Sequence, residues 1–251
     1  MILQVEGLTK KFGGVIAVDQ LSFQVEPSEI FGIIGPNGAG KSTVLHLICG
    51  FHPATAGKIV FDGTEISGLK PHQIARQGIG RNFQASVLFM NLSVIENVFL
   101  AFHMHYKINI WQNLFRLPPA VKEEKELRGQ AEAILERLGL GPFKNEVTRN
   151  LPHGYQRILG VCIALATNPK LLLLDEPMTG MNQNEISTMM KVVRGIRDSG
   201  ITIVMIEHNM DAIMNLCDRI TVLNYGRKIA EGLPEEIRND QNVIEAYLGK
   251  E

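Results

Sequence analysis

The apolar residues fall into two rhythms. Ile30-Phe31-Gly32-Ile33-Ile34, Leu171-Leu172-Leu173-Leu174 and Ile201-Thr202-Ile203-Val204-Met205-Ile206 are short continuous runs, the pattern of parallel strands buried on both faces. Helix-like stretches follow them at 43–49, 185–197 and 211–217. Residues 2–25 instead alternate short β-like runs with turns at Gly13-Gly14 and Asp19-Gln20, which predicts a small antiparallel sheet. A strand is expected at 57–61, a helix at 72–76, and a short strand at 79–83 ending at Gln84.

From Ala85 to about Pro169 the rhythm becomes helical. Ser93 with Glu96 forms a capping box ahead of Val94, Ile95, Val98 and Leu100. A charged helix is expected over 122–138, with Ala131, Ile134, Leu135 and Leu138 on one face and a solvated face opposite. An apolar helix follows over 158–166, whereas 103–119 takes no assignment. Near the end, Asn224-Tyr225-Gly226-Arg227 reads as a hairpin turn, and 234–248 as a final helical section.

Composition narrows the class. The 251 residues are 45% apolar with a net charge of −1, which describes an ordinary globular chain and gives no basic surface for nucleic acid. Cys49, Cys162 and Cys217 are scattered and unpaired in sequence, as in reduced cytosolic proteins. The chain opens on a strand-like run rather than a secretory leader, and its longest apolar run, near 158–166, is too short to cross a bilayer. Any membrane role is therefore expected to act from the cytosolic side through a partner.

The chemistry begins at Gly35-Pro36-Asn37-Gly38-Ala39-Gly40-Lys41-Ser42-Thr43, between a strand and a helix. That spacing is a phosphate-binding loop: glycines let successive N–H groups turn inward, and the helix N-terminus faces the anion. Lys41 suits the β- and γ-phosphates, and Ser42 suits a magnesium ion. Asp175 and Glu176 end a buried strand, where open α/β sheets place their ligands. Asp175 is suited to hold magnesium through water, and Glu176 to deprotonate an attacking water, with a structural salt bridge as the alternative for either. Gln84 and His208 end two other strands, Gln84 as a nucleotide sensor or a plain surface amide, His208 as a γ-phosphate donor or a structural one. Gly154 opens a helix within Leu151-Pro152-His153-Gly154-Tyr155-Gln156-Arg157, either as a second anion site or as plain punctuation. Phe12 reads equally as an adenine-stacking ring or as a core residue.

Taken in order, these segments resemble the nucleotide-binding subunit of an ATP-binding-cassette transporter over essentially the whole length. Within that family the likeness is to the shorter of two ATPases serving high-affinity branched-chain amino acid importers, carried by Phe12-Gly13-Gly14, Arg81-Asn82-Phe83-Gln84, residues 92–98, Ile206-Glu207-His208 and residues 243–249. The resemblance implies an α/β P-loop NTPase fold with a mostly parallel core sheet, an N-terminal antiparallel β subdomain and an inserted helical lobe. It implies one cassette over 1–251, with the core in 1–84 and 170–251 and the lobe in 85–169. It also implies ATP and Mg2+, with Gln84 beside Ser42 and Asp175 at the metal, and 91–98 facing a permease.

The implied partners are multi-span permease subunits, a second ATPase subunit, and indirectly an external substrate-binding protein, with no nucleic acid. The implied place is the cytoplasmic face of the membrane. In such pairs each ATP lies between the phosphate loop of one subunit and the signature helix of the other, here His153, Gly154 and Tyr155. The family's usual signature is Leu-Ser-Gly-Gly-Gln, so Pro152 removes a hydroxyl and a backbone donor. His153 is then the candidate replacement donor. Asn182 stands where an Asp is usual in the loop after the catalytic Glu. Importers of urea or short amides and a lipid exporter share this pattern. A soluble cassette acting on ribosomes or DNA, and a weakly hydrolysing regulatory cassette, are the readings of a different class.

Overall fold

The computed structural model describes residues 1–82, 88–102 and 117–248. It divides the chain into two compact units, residues 1–81 with 170–251 and residues 82–169.

The first unit is built on two sheets. Strands β1 (Leu3–Phe12), β2 (Val15–Val25), β4 (Ala56–Phe61) and β5 (Thr64–Glu65) form an antiparallel sheet in the order β2-β1-β4-β5. The second sheet runs β10-β9-β3-β8-β7-β6. Its strands are β3 (Ile30–Ile34), β6 (Ile79–Arg81), β7 (Leu171–Asp175), β8 (Thr202–Ile206), β9 (Arg219–Asn224) and β10 (Arg227–Gly232). All its pairings are parallel except β9 with β10. β3, β7 and β8 are buried at every position, which is why they read as unbroken apolar runs. Tyr225 and Gly226 close the β9–β10 hairpin, both with positive φ, the conformation a two-residue hairpin turn demands.

Helices α1 (Lys41–Ile48), α2 (Pro71–Gln77), α6 (Gln183–Asp198), α7 (Met210–Leu216), α8 (Pro234–Asn239) and α9 (Gln241–Leu248) complete this unit. The expected final helical section is two helices rather than one. Asp240 is extended between them, and its carboxylate accepts from the N–H groups of Asn242 and Val243 to start the second. Asn182 is the N-cap of α6, in a reciprocal box with Glu185.

The second unit contains α3 (Val94–Ala101), α4 (Pro118–Arg137) and α5 (His153–Leu165), all packed on one another. The Ser93–Glu96 capping box forms as its spacing predicts. α4 starts four residues before the expected boundary because Pro118 and Pro119 occupy its first turn, where a missing N–H costs nothing. Most of the unassigned stretch, 103–116, lies outside the described residues. Among the described residues no helix is long and apolar enough to cross a membrane.

Asn97 ties this unit together. It is buried on α3, accepts from Phe89 N–H at 2.8 Å, and donates to Phe89 O, Ser93 O and Thr148 Oγ1 at 3.1, 3.0 and 2.9 Å. Removing the amide strands the buried Thr148 hydroxyl and part-buried backbone groups of Phe89 and Ser93 at once. Asn97→Ala is expected to lose about 2–3 kcal/mol of unfolding free energy in urea titration. An unchanged midpoint would mean that water replaces the amide there.

Candidate functional site

The site grows from the carboxyl ends of the parallel strands. β3 runs into the loop 35–40, which must reverse direction and open α1 within six residues. Two glycines make that possible. At Gly35 (φ 149°) a Cβ would stand 2.1 Å from the Leu223 carbonyl, and at Gly40 (φ 100°) 2.3 Å from the Ala17 carbonyl. Only a bare backbone fits between those neighbours. The Ala39 carbonyl accepts from Gly226 N–H at 3.0 Å, fixing the loop to the β9–β10 turn.

Lys41 is buried at the start of α1, and its ammonium donates to the carbonyls of Gly35 at 2.7 Å and Pro36 at 3.0 Å. Burial pulls its pKa below the usual lysine range, while the negative charges of Glu176 and Asp175 oppose that shift. The lysine thus bridges its own loop, with two carboxylates near enough to be felt.

Glu176 follows β7 with φ 48°, a left-handed conformation rare for a side-chain-bearing residue and often found at functional positions. Its N–H donates to Ile206 O at 2.9 Å, anchoring it to the end of β8. Its carboxylate accepts from Thr179 Oγ1 at 3.2 Å and meets His208 Nε2 at 2.7 Å. Asp175, one residue earlier, is buried and paired with Arg81 Nη2 at 2.7 Å.

Lys41, Ser42, Thr43, Glu176 and His208 line one cavity of about 400 Å³ with Asn37, Gly38, Ala39 and Gly40. Val15, Ile16, Ala17 and Tyr225 form its remaining wall. Sequence reasoning missed that wall and the Arg81 partner of Asp175. Val15 and Ile16 at the start of β2 and Tyr225 in the β9–β10 turn are large apolar groups left exposed, a signal visible only once the fold is known. Phe12 is 44% exposed rather than core, edge-on to His52 and under the Lys10 ammonium, and it stands outside the cavity lining. Gln84 falls outside the described residues.

In the second unit Pro152 is the N-cap of α5, His153 is exposed, Gly154 is buried, and Tyr155 packs on Phe143 with ring centroids 4.8 Å apart. The first helical bond runs from Gln156 N–H to Pro152 O, so the N–H groups of His153, Gly154 and Tyr155 lie ahead of the helical ladder.

The donors fit magnesium in kind, a hydroxyl at Ser42 and a carboxylate at Asp175, both hard oxygens. Among the described residues no group of three His, Cys, Asp or Glu side chains forms a metal site. An ion here would depend on phosphate oxygens and water for its other ligands.

The chain matches the family described as ABC transporter over residues 18–179, and the one described as branched-chain amino acid ATP-binding cassette transporter over residues 227–251. It is 40% identical over 250 residues to BraF of Pseudomonas aeruginosa, a high-affinity branched-chain amino acid transport ATP-binding protein, covering 99% of this chain and 98% of that one. The same figures hold for LivG of Escherichia coli, described in the same words. Among solved structures, the ADP conformation of MJ1267, an ATP-binding cassette of an ABC transporter, superposes with a TM-score of 0.87 at 32% identity, covering 99% of each chain. With a phosphate loop and paired strand-end carboxylates over that shared length, the chain belongs to the ABC transporter family, as an ATP-binding and ATP-hydrolysing subunit of a transporter complex.

Proposed function

We propose that this ATPase powers an importer of branched-chain or other hydrophobic amino acids, bound peripherally to permease subunits at the cytoplasmic face of the membrane. The cargo rests on the full-length likeness to BraF and LivG and on the match over 227–251. The chemistry rests on one observation: Lys41, Ser42, Glu176 and His208 meet in a single cavity, with Glu176 and His208 in hydrogen-bond contact.

In this reading the N–H groups of residues 37, 38 and 40–43 and the Lys41 ammonium hold the β- and γ-phosphates, while the Ala39 N–H donates to Pro36 O within the loop. Ser42, Asp175 and Gln84 would hold magnesium, which would supply positive charge against the phosphate oxygens. Glu176 takes the proton of a water whose oxygen bonds to the γ-phosphorus, as the bond from that phosphorus to the ADP oxygen breaks. His208, whose Nε2 stands 2.7 Å from that carboxylate, donates to a γ-phosphate oxygen. Phe12 flanks the base, beside the apolar wall of Val15 and Ile16.

Two cassettes, identical or different, face head to tail, and Gly154 and Tyr155 at the start of α5 offer N–H groups to the nucleotide held by the other. His153, exposed on the first turn, supplies the donor that Pro152 lacks. Loss of the γ-phosphate removes the shared anion, and the pair separates.

Glu176→Gln is expected to lower kcat by about 10²–10⁴-fold while nucleotide still binds and holds a dimer on size-exclusion chromatography. Turnover at the wild-type rate would remove Glu176 as the base. His153→Ala is expected to weaken both ATP hydrolysis and nucleotide-driven dimerisation; normal values for both would leave the donor role to backbone alone. Proteins co-purified from gently solubilised native membranes should include multi-span permease subunits and a second cassette ATPase. Ribosomal or DNA-bound partners without permeases would overturn the transport reading.

A further inference from the structure

Glu207 lies between β8 and His208, is only 2% exposed, and has no part in the chemistry described so far. Its two oxygens face two different loops. One accepts from Met178 N–H at 2.5 Å, on the loop that carries Glu176 two residues earlier. The other accepts from His208 N–H at 3.1 Å, and the Asn209 N–H also donates to this carboxylate. Burial raises the Glu207 carboxyl above the usual carboxylate range, more than these donors lower it, and the neighbouring Glu176 charge adds to the rise. Holding this group inside is thus a cost to folding, and buried polar groups kept at such a cost often serve a site.

The contacts close a ring. Glu176 meets the His208 side chain at 2.7 Å, the His208 backbone meets Glu207, Glu207 meets Met178, and Pro177 leads back to Glu176. A carboxylate suits this place because it presents acceptors only. An amide of the same size would turn one NH2 group toward an N–H donor and break one side of the ring.

We propose that Glu207 is a positioning residue for ATP hydrolysis, a buried brace that ties the Met178 loop to the His208 loop and so sets the distance between Glu176 and His208. The inference rests on the roles proposed above for Glu176 and His208. Glu207 touches no reacting atom; it acts through the two groups that would.

The test is Glu207→Gln in the full-length chain, with kcat and KM for ATP measured beside amide hydrogen exchange. The brace requires kcat to fall about 10- to 100-fold, the range for a residue that orients a catalytic group, with KM for ATP held. It also requires faster exchange at the Met178, His208 or Asn209 amides while the β7 and β8 amides stay protected. Unchanged kcat, a change confined to KM, or loosening of β7 and β8 as well would each overturn it, the last by making Glu207 a general support of the fold. Wild-type turnover in Glu176→Gln would instead overturn the roles of the catalytic pair, so the two failures are read from different variants.

Discussion

The close approach of three backbone segments around the phosphate loop is the constraint on which the rest depends. Gly35 lies against the Leu223 carbonyl at the end of β9, and Gly40 against the Ala17 carbonyl on β2. Ala39 is bonded to Gly226 in the hairpin turn, whose own carbonyl accepts from Asp19 N–H. The loop is therefore gripped by the parallel sheet on one side and the antiparallel sheet on the other. A loop of mostly small residues would otherwise lose much of its ordering to chain entropy. Held this way, its backbone is set in advance, and such preorganisation is the condition for strong electrostatic stabilisation.

Charge is arranged around that loop with the same economy. Lys41 borrows the carbonyls of Gly35 and Pro36, and Asp175 sits in a buried pair with Arg81. Buried pairs give weak net stability because desolvation offsets their attraction, but they fix geometry. Arg81 holds the carboxylate at the end of β7, and the adjacent Glu176, turned by its left-handed backbone, is free to face the cavity. Two neighbouring carboxylates thus take separate environments, one buried and ion-paired, the other lining the cavity beside His208.

Legibility from sequence followed the range of each interaction. The phosphate loop, the buried strands and the Ser93 and Asn182 caps are local, so spacing and residue type announce the loop, the strands and the Ser93 box. The Asn182 box is equally local, Asn182 and Glu185 having the same spacing as Ser93 and Glu96, on a position that the family resemblance marks only as a departure from an Asp. Arg81 and Asp175 are 94 residues apart, and nothing near either names the other. The cavity wall of Val15, Ile16 and Tyr225 was hidden for a different reason: exposed apolar residues at a strand start and a hairpin turn carry no periodicity that marks a site. The split between α8 and α9 hung on a single carboxylate, Asp240, whose capping competes with helix continuation.

The altered signature segment follows from the same backbone logic. A helix start binds an anion mainly through its unpaired N–H groups and its dipole, with a cap side chain as an addition. Proline at the cap of α5 removes one N–H and offers no hydroxyl, but its fixed φ suits the turn into a helix, and its carbonyl still accepts the first helical bond from Gln156. The N–H groups of His153, Gly154 and Tyr155 remain ahead of the ladder, on a helix of 13 residues. Tyr155 is braced against Phe143, and Gly154 is buried and brings no side chain, so His153 is the side chain of that turn left in solvent. What Pro152 takes from the segment is therefore one hydroxyl and one donor, while the unpaired N–H groups of the helix start persist.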